Sequence, residues 1–243
     1  MNLINDLGFD GIDIDWEYPQ DPTEAGHFVE LLSETRRHLG DKLLTVASSA
    51  GPEKYKILNL NEMNGYVDLW NLMAYDYAGT SNNGTTGHQS NLFPSRSKLV
   101  TPFNTDQAVQ YYLAHGIPPQ KLNLGIPLYG RAFVGTSGLG TPYSSKGNGS
   151  WEPGVWDYKV LPLPGSKTTL DVEAGASYSF DASEATVISY DNKASVLEKV
   201  DYIVSRNLGG TSFWEASGDR NDSESLVGVV RISILTNVKA NMI

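Results

Sequence analysis

Near the start of the chain apolar and acidic residues alternate: Ile12, Ile14 and Trp16 stand between Asp13, Asp15 and Glu17. Successive side chains of a strand point to opposite faces. Residues 11–17 are therefore expected to form a strand with one apolar face, fit for burial, and one face carrying a ladder of carboxylates. Next, Ala25, Phe28, Leu32, Arg36 and Leu39 recur at spacings of three and four, which predicts a helix. Asp21 is its N-cap, Pro22 suits the first helical position, Glu24 completes a capping-box-like pattern and Gly40 closes it. The runs 43–51, 67–76 and 122–128 are short and apolar and read as buried strands. Residues 58–64 read as a helical turn and 105–115 as a helix stopped by Gly116 and Pro118-Pro119. Residues 195–207 form another helix, with Val196, Val200, Ile203 and Val204 inward, and 209–215 a last strand.

Strands alternating with helices predict a parallel α/β sheet. Two stretches break that rhythm. Residues 77–101 form a long loop rich in Gly, Ser, Asn and Thr, and loops of that length tend to carry function. Residues 129–190 show no helical period. Aromatics there (Tyr143, Trp151, Trp156, Tyr158, Tyr178, Phe180) alternate with glycines, prolines and short strand-like runs, so a small β-rich insertion is expected. The opening MNLINDLGFDG reads as the last turns of a helix ended by Gly8, which places Met1 inside a domain rather than at a natural beginning. It has neither the cationic nor the apolar part of a signal peptide.

Composition narrows the classes. The 243 residues are 40% hydrophobic and 19% charged, as in a globular protein of one large or two modest domains. The net charge of −10 and the absence of a basic patch argue against nucleic acid as a partner. The chain has no cysteine, which excludes thiol catalysis, thiolate metal sites and disulfides. No apolar run approaches a membrane span, so no membrane partner is expected. His27, His38, His88 and His115 are scattered and give no metal site or triad.

The ladder Asp13, Asp15, Glu17 is compatible with three roles: the wet face of an edge strand, a hard-metal site, or acid/base chemistry between carboxylates that push each other's pKa values apart. Polar residues also collect at the C-terminal ends of the expected strands: Glu17 and Tyr18, Tyr75 and Asp76, Tyr129 and Arg131, Trp214 and Glu215. In parallel α/β folds that edge carries the active site.

DGIDIDWE, at residues 10–17, resembles the DGxDxDxE signature of the family 18 glycoside hydrolases, the chitinases. MAYDYAG (73–79), GIPLYGRAF (125–133) and FWEAS (213–217) resemble three further blocks of that family, in the family's order. The resemblance implies a partial TIM (β/α)8 barrel, with strands four to eight and without the first three, in residues 1–128 and 191–243. An α+β insertion domain would occupy 129–190. By that resemblance the chain is the C-terminal portion of a secreted, extracellular endochitinase, monomeric if complete, acting on chitin and chito-oligosaccharides. It would use no cofactor and no metal. The resemblance makes Glu17 the general acid, Asp15 the residue that orients the substrate's acetamido group, Asp13 its proton-sharing partner and Tyr75 the hydroxyl on the acetamido oxygen. Tyr18, Met73, Ala74, Asp76, Tyr129, Arg131 and Trp214 match substrate-binding positions, with Trp214 the floor on which a sugar stacks, and Glu152 pairs with Arg131 or with sugar hydroxyls. Three other classes compete: a sugar-binding lectin on the same scaffold, against which Glu17 argues; a carboxylate-bound metal hydrolase, against which the aromatics argue; and a truncated product without activity of its own.

Overall fold

The chain is described from a computed structural model that covers residues 2–79, 84–95 and 100–240. Met1 and parts of the expected loop at 77–101 lie outside the described residues. In chain order the elements are α1 (Asn2–Leu7), β1 (Gly11–Asp15), α2 (Pro22–Leu39), β2 (Leu43–Ser49), α3 (Pro52–Tyr55), α4 (Leu60–Met63), β3 (Leu69–Met73), α5 (Thr105–Ala114) and β4 (Leu122–Pro127). Then follow β5 (Tyr129–Val134), β6 (Val155–Asp157), β7 (Lys167–Asp171), β8 (Ala176–Asp181), β9 (Thr186–Tyr190), α6 (Lys193–Ser205), β10 (Gly210–Trp214) and α7 (Leu226–Ala240). The residues group into two compact units. One comprises Met1–Met73, Gln107–Leu124 and Asn207–Ser212; the other comprises Ala74–Asp106, Gly125–Arg206 and Phe213–Ile243.

The first unit is built on a five-stranded sheet of order β1-β2-β3-β4-β10, in which β1–β2, β2–β3 and β3–β4 pair in parallel. The alternation read from the sequence decides its two faces. Leu44 and Val46 of β2, Trp70 and Leu72 of β3, and Leu122 and Leu124 of β4 are fully buried. Between them Thr45, Ala47, Asn71, Met73 and Asn123 are only half-buried. Helices cover the apolar face. Phe28 of α2 meets the Trp16 ring at 5.3 Å, and Tyr112 of α5 meets Trp70 and Tyr55 edge-on at 5.9 Å. Each fully buried large side chain contributes about 1.5–3 kcal/mol. Gly11, at the start of β1, lies so close to β2 that a Cβ there would stand 2.1 Å from the Leu43 carbonyl oxygen.

Helix α2 forms as its apolar stripe, its Asp21 cap, Pro22 and Gly40 predict, while the Glu24 carboxylate accepts from the Gln20 N–H at 2.8 Å instead of closing a capping box on Asp21. Asp21 accepts from the backbone N–H groups of Thr23 (2.8 Å) and Glu24 (3.0 Å), a cap worth about 1 kcal/mol. Arg36, the polar member of its apolar stripe, has a use there. Its guanidinium donates to the Tyr66 carbonyl (2.9 Å) and the Lys42 carbonyl (2.6 Å) and forms an ion pair with Asp68. Asp68 in turn accepts from the Leu44 N–H at 2.8 Å, so one side chain ties α2 to the ends of two strands.

The second unit holds an antiparallel five-stranded sheet of order β6-β5-β9-β8-β7, running from Tyr129 to Tyr190. Phe133, Val187 and Ala78 form a small core, packed by Tyr143, Tyr178 and Phe180. Helices α6 and α7 belong to this unit and pack together. Helix α7 was not among the elements expected from sequence. No helix among the described residues is long and apolar enough to cross a membrane.

Candidate active site

The acidic ladder stands in the first unit. Parallel pairing of β1 ends at Asp15, opposite Ala47, so Trp16 and Glu17 lie just past the strand rather than within it. The alternation nevertheless continues: Asp13, Asp15 and Glu17 are exposed, and Ile12, Ile14 and Trp16 are half-buried between them. The Asp15 carboxyl is raised from its ordinary value, first by partial burial and then by the negative charges of Glu17 and Asp13. Asp13 is held from two neighbouring strands. Its Oδ2 accepts from the Thr45 hydroxyl on β2 and from Asn71 Nδ2 on β3, the latter at 2.9 Å. Tyr18 is half-buried, with Lys54 Nζ 5.8 Å above its ring, and its carbonyl accepts from Gln20 Nε2. Met73, half-buried, is the last residue of β3.

The second unit holds the remaining candidates. Strand β3 ends before Tyr75, earlier than the expected 67–76, and the chain turns at Asp76, whose φ of 62° is left-handed. Ala74 is fully buried, so its side chain meets packing and not solvent. Both oxygens of Asp76 are engaged: Oδ1 accepts from the Tyr129 hydroxyl (2.9 Å) and Arg131 Nε (2.8 Å), and Oδ2 from Arg131 Nη2 (2.8 Å). This is a two-pronged guanidinium–carboxylate pair, the geometry that arginine suits best. Glu152 adds a longer contact to Arg131 Nη1 at 3.3 Å. Burial alone would lower the Arg131 pKa, but Asp76 outweighs it and the net shift is upward. Tyr129 is buried, and its hydroxyl pKa rises well above normal through burial first and the Asp76 charge second. The Tyr75 ring meets the Tyr129 ring edge-on at 6.1 Å, so Asp76, Tyr129, Arg131 and Tyr75 form one cluster. Trp214, at the end of β10, is 53% exposed, and its carbonyl accepts from the Leu128 N–H at 2.7 Å. A large aromatic left this open at a strand end is an available stacking surface.

The family model "Glycosyl hydrolases family 18" matches residues 1–219. The chain belongs to glycoside hydrolase family 18. Among curated relatives it is 44% identical over 238 residues to "Chitinase 1" of Aphanocladium album, covering 93% of this chain and 56% of that one. It is likewise 44% identical over 239 residues to "Endochitinase 1" of Metarhizium robertsii, covering 94% and 56%. The chain thus spans little more than half the length of these relatives. Among solved structures, the catalytic domain of a psychrophilic chitinase B from Arthrobacter is 32% identical with a TM-score of 0.87, covering 94% of this chain and 57% of that one. A class V chitinase from Nicotiana tobaccum, solved in complex with NAG4, is 28% identical with a TM-score of 0.82, covering 97% and 70%. The mixed α/β fold, a parallel sheet flanked by helices, is that of family 18 catalytic domains.

Within this family 18 chain, three side chains around the ladder were not picked out from sequence: Thr45, Asn71 and Asn123. Each sits inside a run read as an apolar buried strand. The signal was present, because each is a polar residue flanked on both sides by fully buried ones, as in Leu44-Thr45-Val46, Trp70-Asn71-Leu72 and Leu122-Asn123-Leu124. Polar residues at alternate positions mark a sheet face that is not packed against helices.

Proposed function

We propose that the protein hydrolyses the β-1,4 linkages of N-acetylglucosamine in chitin and chito-oligosaccharides, with retention of configuration and assistance from the substrate itself. The observation that carries this reading is the ladder of exposed carboxylates at the end of a half-buried parallel strand, in a chain of this family. The substrate's acetamido oxygen attacks the anomeric carbon as the bond to the leaving sugar breaks, and Glu17 gives its proton to the leaving oxygen. Because that nucleophile belongs to the substrate, the attack is nearly intramolecular and its entropic cost is small. Asp15 holds the acetamido N–H and offsets the positive charge of the oxazolinium, with Asp13 as its proton-sharing partner. Water then attacks the anomeric carbon as its bond to the acetamido oxygen breaks, losing a proton to Glu17, so that the acetamido group is restored and the β product forms.

Tyr75 binds the acetamido oxygen in this reading, and Trp214 stacks on the apolar face of the sugar. Tyr18 and Met73 contribute substrate contacts. The raised pKa of Asp15 and the exposure of Trp214 support these assignments. Asp76, Tyr129 and Arg131 act as one unit that fixes the segment carrying Tyr75, with Glu152 at its edge and Ala74 packed behind. Residues 129–190 serve as the insertion domain of a (β/α)8 barrel, and the enzyme works outside the cell, where its insoluble substrate lies.

The test is turnover of a chromogenic chitotriose-type substrate by the full natural protein, with NMR of the first product. The β anomer is expected, and Glu17→Gln should abolish cleavage while oligosaccharide binding persists. A loss under about tenfold, equivalent to ~1.4 kcal/mol of barrier, removes Glu17 as the acid. An α product removes substrate assistance.

A further inference from the structure

The polar contacts of Asp13 do not stop at its first partners. Asn71 Nδ2 donates to Asp13 Oδ2 at 2.9 Å, and Asn71 Oδ1 accepts from Asn123 Nδ2 at 3.0 Å. The three residues lie on β1, β3 and β4, and the Thr45 hydroxyl of β2 donates to the same Asp13 oxygen. Register explains the row: Asp13 pairs with Thr45 across β1–β2, and Asn71 with Asn123 across β3–β4. All of them belong to the first compact unit.

The orientation of each amide follows from its neighbour. An ionised carboxylate only accepts, so the amide of Asn71 must turn its NH2 towards Asp13 and its oxygen towards Asn123. Asn123 then meets that oxygen with its own NH2, which sends its Oδ1 the other way. There the chain has Gly209 and Gly210. A Cβ at Gly209 would stand 3.0 Å from Asn123 Oδ1 and 2.4 Å from the Gln120 carbonyl oxygen, and one at Gly210 would stand 3.6 Å from the same Oδ1. The glycine pair leaves room for the Asn123 side chain, and the order of donors and acceptors runs from Asp13 through Asn71 to Asn123.

We infer that Asn71, held by Asn123, is a positioning residue: with Thr45 it commits Oδ2 of Asp13 to accepting hydrogen bonds, so that a proton shared in the ladder resides on the other oxygen of Asp13 or on Asp15. Two donors converge on Oδ2, and a proton there would meet both. The raised pKa of Asp15 agrees, since Asp15 is the member that holds a proton more readily than an ordinary aspartate. The titratable groups of the ladder are Asp13, Asp15 and Glu17 themselves; the groups that β2 and β3 turn towards Asp13, Thr45 and Asn71, are neutral. This inference rests on the proposed hydrolase reading for its kinetic consequence, but not for its proton placement.

Two measurements on the full natural protein test it. The first is the pH dependence of kcat and KM on a chito-oligosaccharide for Asn71→Leu, Asn123→Leu and Thr45→Val. Removing a donor from an ionised oxygen makes the pair keep its proton to higher pH. Asn71→Leu is therefore expected to lower kcat at least tenfold at nearly constant KM and to move the acid limb of the profile to higher pH. Asn123→Leu should shift the limb in the same direction by less, and Thr45→Val in the same direction. The second is a carboxyl 13C NMR titration of aspartate-labelled protein, in which the ladder signals of the same variants should titrate at higher pH than those of the unaltered protein. A kcat that falls only in step with the loss of folded protein, with pH profile and carboxyl titration unmoved, overturns the inference. If Asn71→Leu fails to fold, the Asn123→Leu and Thr45→Val titrations decide it alone. If the unaltered protein cleaves no chito-oligosaccharide, the hydrolase reading falls, and the NMR titration still decides whether Asn71 and Asn123 place the proton.

Discussion

At the scale of single residues, Asp15 shows what a ladder of like charges does to stability. Its pKa is raised above the ordinary 3.8, by partial burial and by its two acidic neighbours. The folded state then binds a proton more tightly than the unfolded state, so this residue stabilises the fold fully only below about 3.8, and that contribution is lost as pH rises through the folded value. At neutral pH the ionised Asp15 works against folding. Asparagine has the same shape and does not titrate, so Asp15→Asn should unfold at a higher temperature than the unaltered protein at pH 7. The difference should close near pH 3. Calorimetry at the two pH values checks this; a lower melting temperature at pH 7 would mean that the carboxylate makes a stabilising contact outweighing the repulsion. In the hydrolase reading the same change removes activity, so stability and function would oppose each other at one side chain. The ladder was legible because its period of two is a property of the backbone and needs no tertiary partner.

At the scale of elements, what the sequence conceals is where pairing stops and which polar residues share an open face. Strands expected at 11–17 and 67–76 end at Asp15 and Met73, because the register with β2 runs out there, opposite Ala47 and Ser49. Helix α7 escaped notice because Gly228 and the β-branched Val227, Val229, Val230, Ile232 and Ile234 blur its periodicity. Its inward residues Leu226, Val229 and Val230 do keep the spacing of a helix. A second concealed feature is the anchor of α6. Lys199, which the sequence pattern did not single out, is fully buried and pairs with Asp191 at 2.5 Å. Asp191 also accepts from Ser195 at 2.8 Å and from Ser90 at 3.1 Å, which ties residues 84–95 to the start of the helix. Burial lowers the Lys199 pKa and the Asp191 charge opposes that shift. Removing one member of such a pair leaves a charge buried without compensation, so Lys199→Met should cost about 3–5 kcal/mol in urea unfolding. Adding Asp191→Asn should recover most of it. A single-variant cost below about 1 kcal/mol would show that water reaches Asp191 and that the pair is not sealed.

At the scale of the molecule, the sheet of the first unit has two margins among the described residues: β1 neighbours only β2, and β10 only β4. An edge strand offers unpaired backbone N–H and C=O groups to any other strand that reaches it. Around the start of β1 the apolar residues Leu7 (59% exposed), Phe9 (48%) and Leu43 (48%) stand open to solvent, so that margin is apolar as well as unpaired. What opposes association is charge. The chain carries a net −10, and like-charged copies repel over roughly 10 Å at 0.1 M salt and only about 3 Å at 1 M. The 243-residue polypeptide by itself is therefore expected to self-associate through the β1 margin, more strongly at higher concentration and at higher salt. Leu7→Lys together with Phe9→Lys should weaken that association: the apolar margin becomes charged, and lysine at a sheet edge discourages pairing. Because these changes also reduce the net negative charge, the comparison belongs at high salt, where the repulsion they relieve is already screened. Sedimentation velocity at two protein concentrations, each at low and high salt, measures the outcome. A species that stays monomeric under all four conditions would show that this margin is covered. An association that the double lysine variant leaves unchanged at high salt would place the contact elsewhere on the chain.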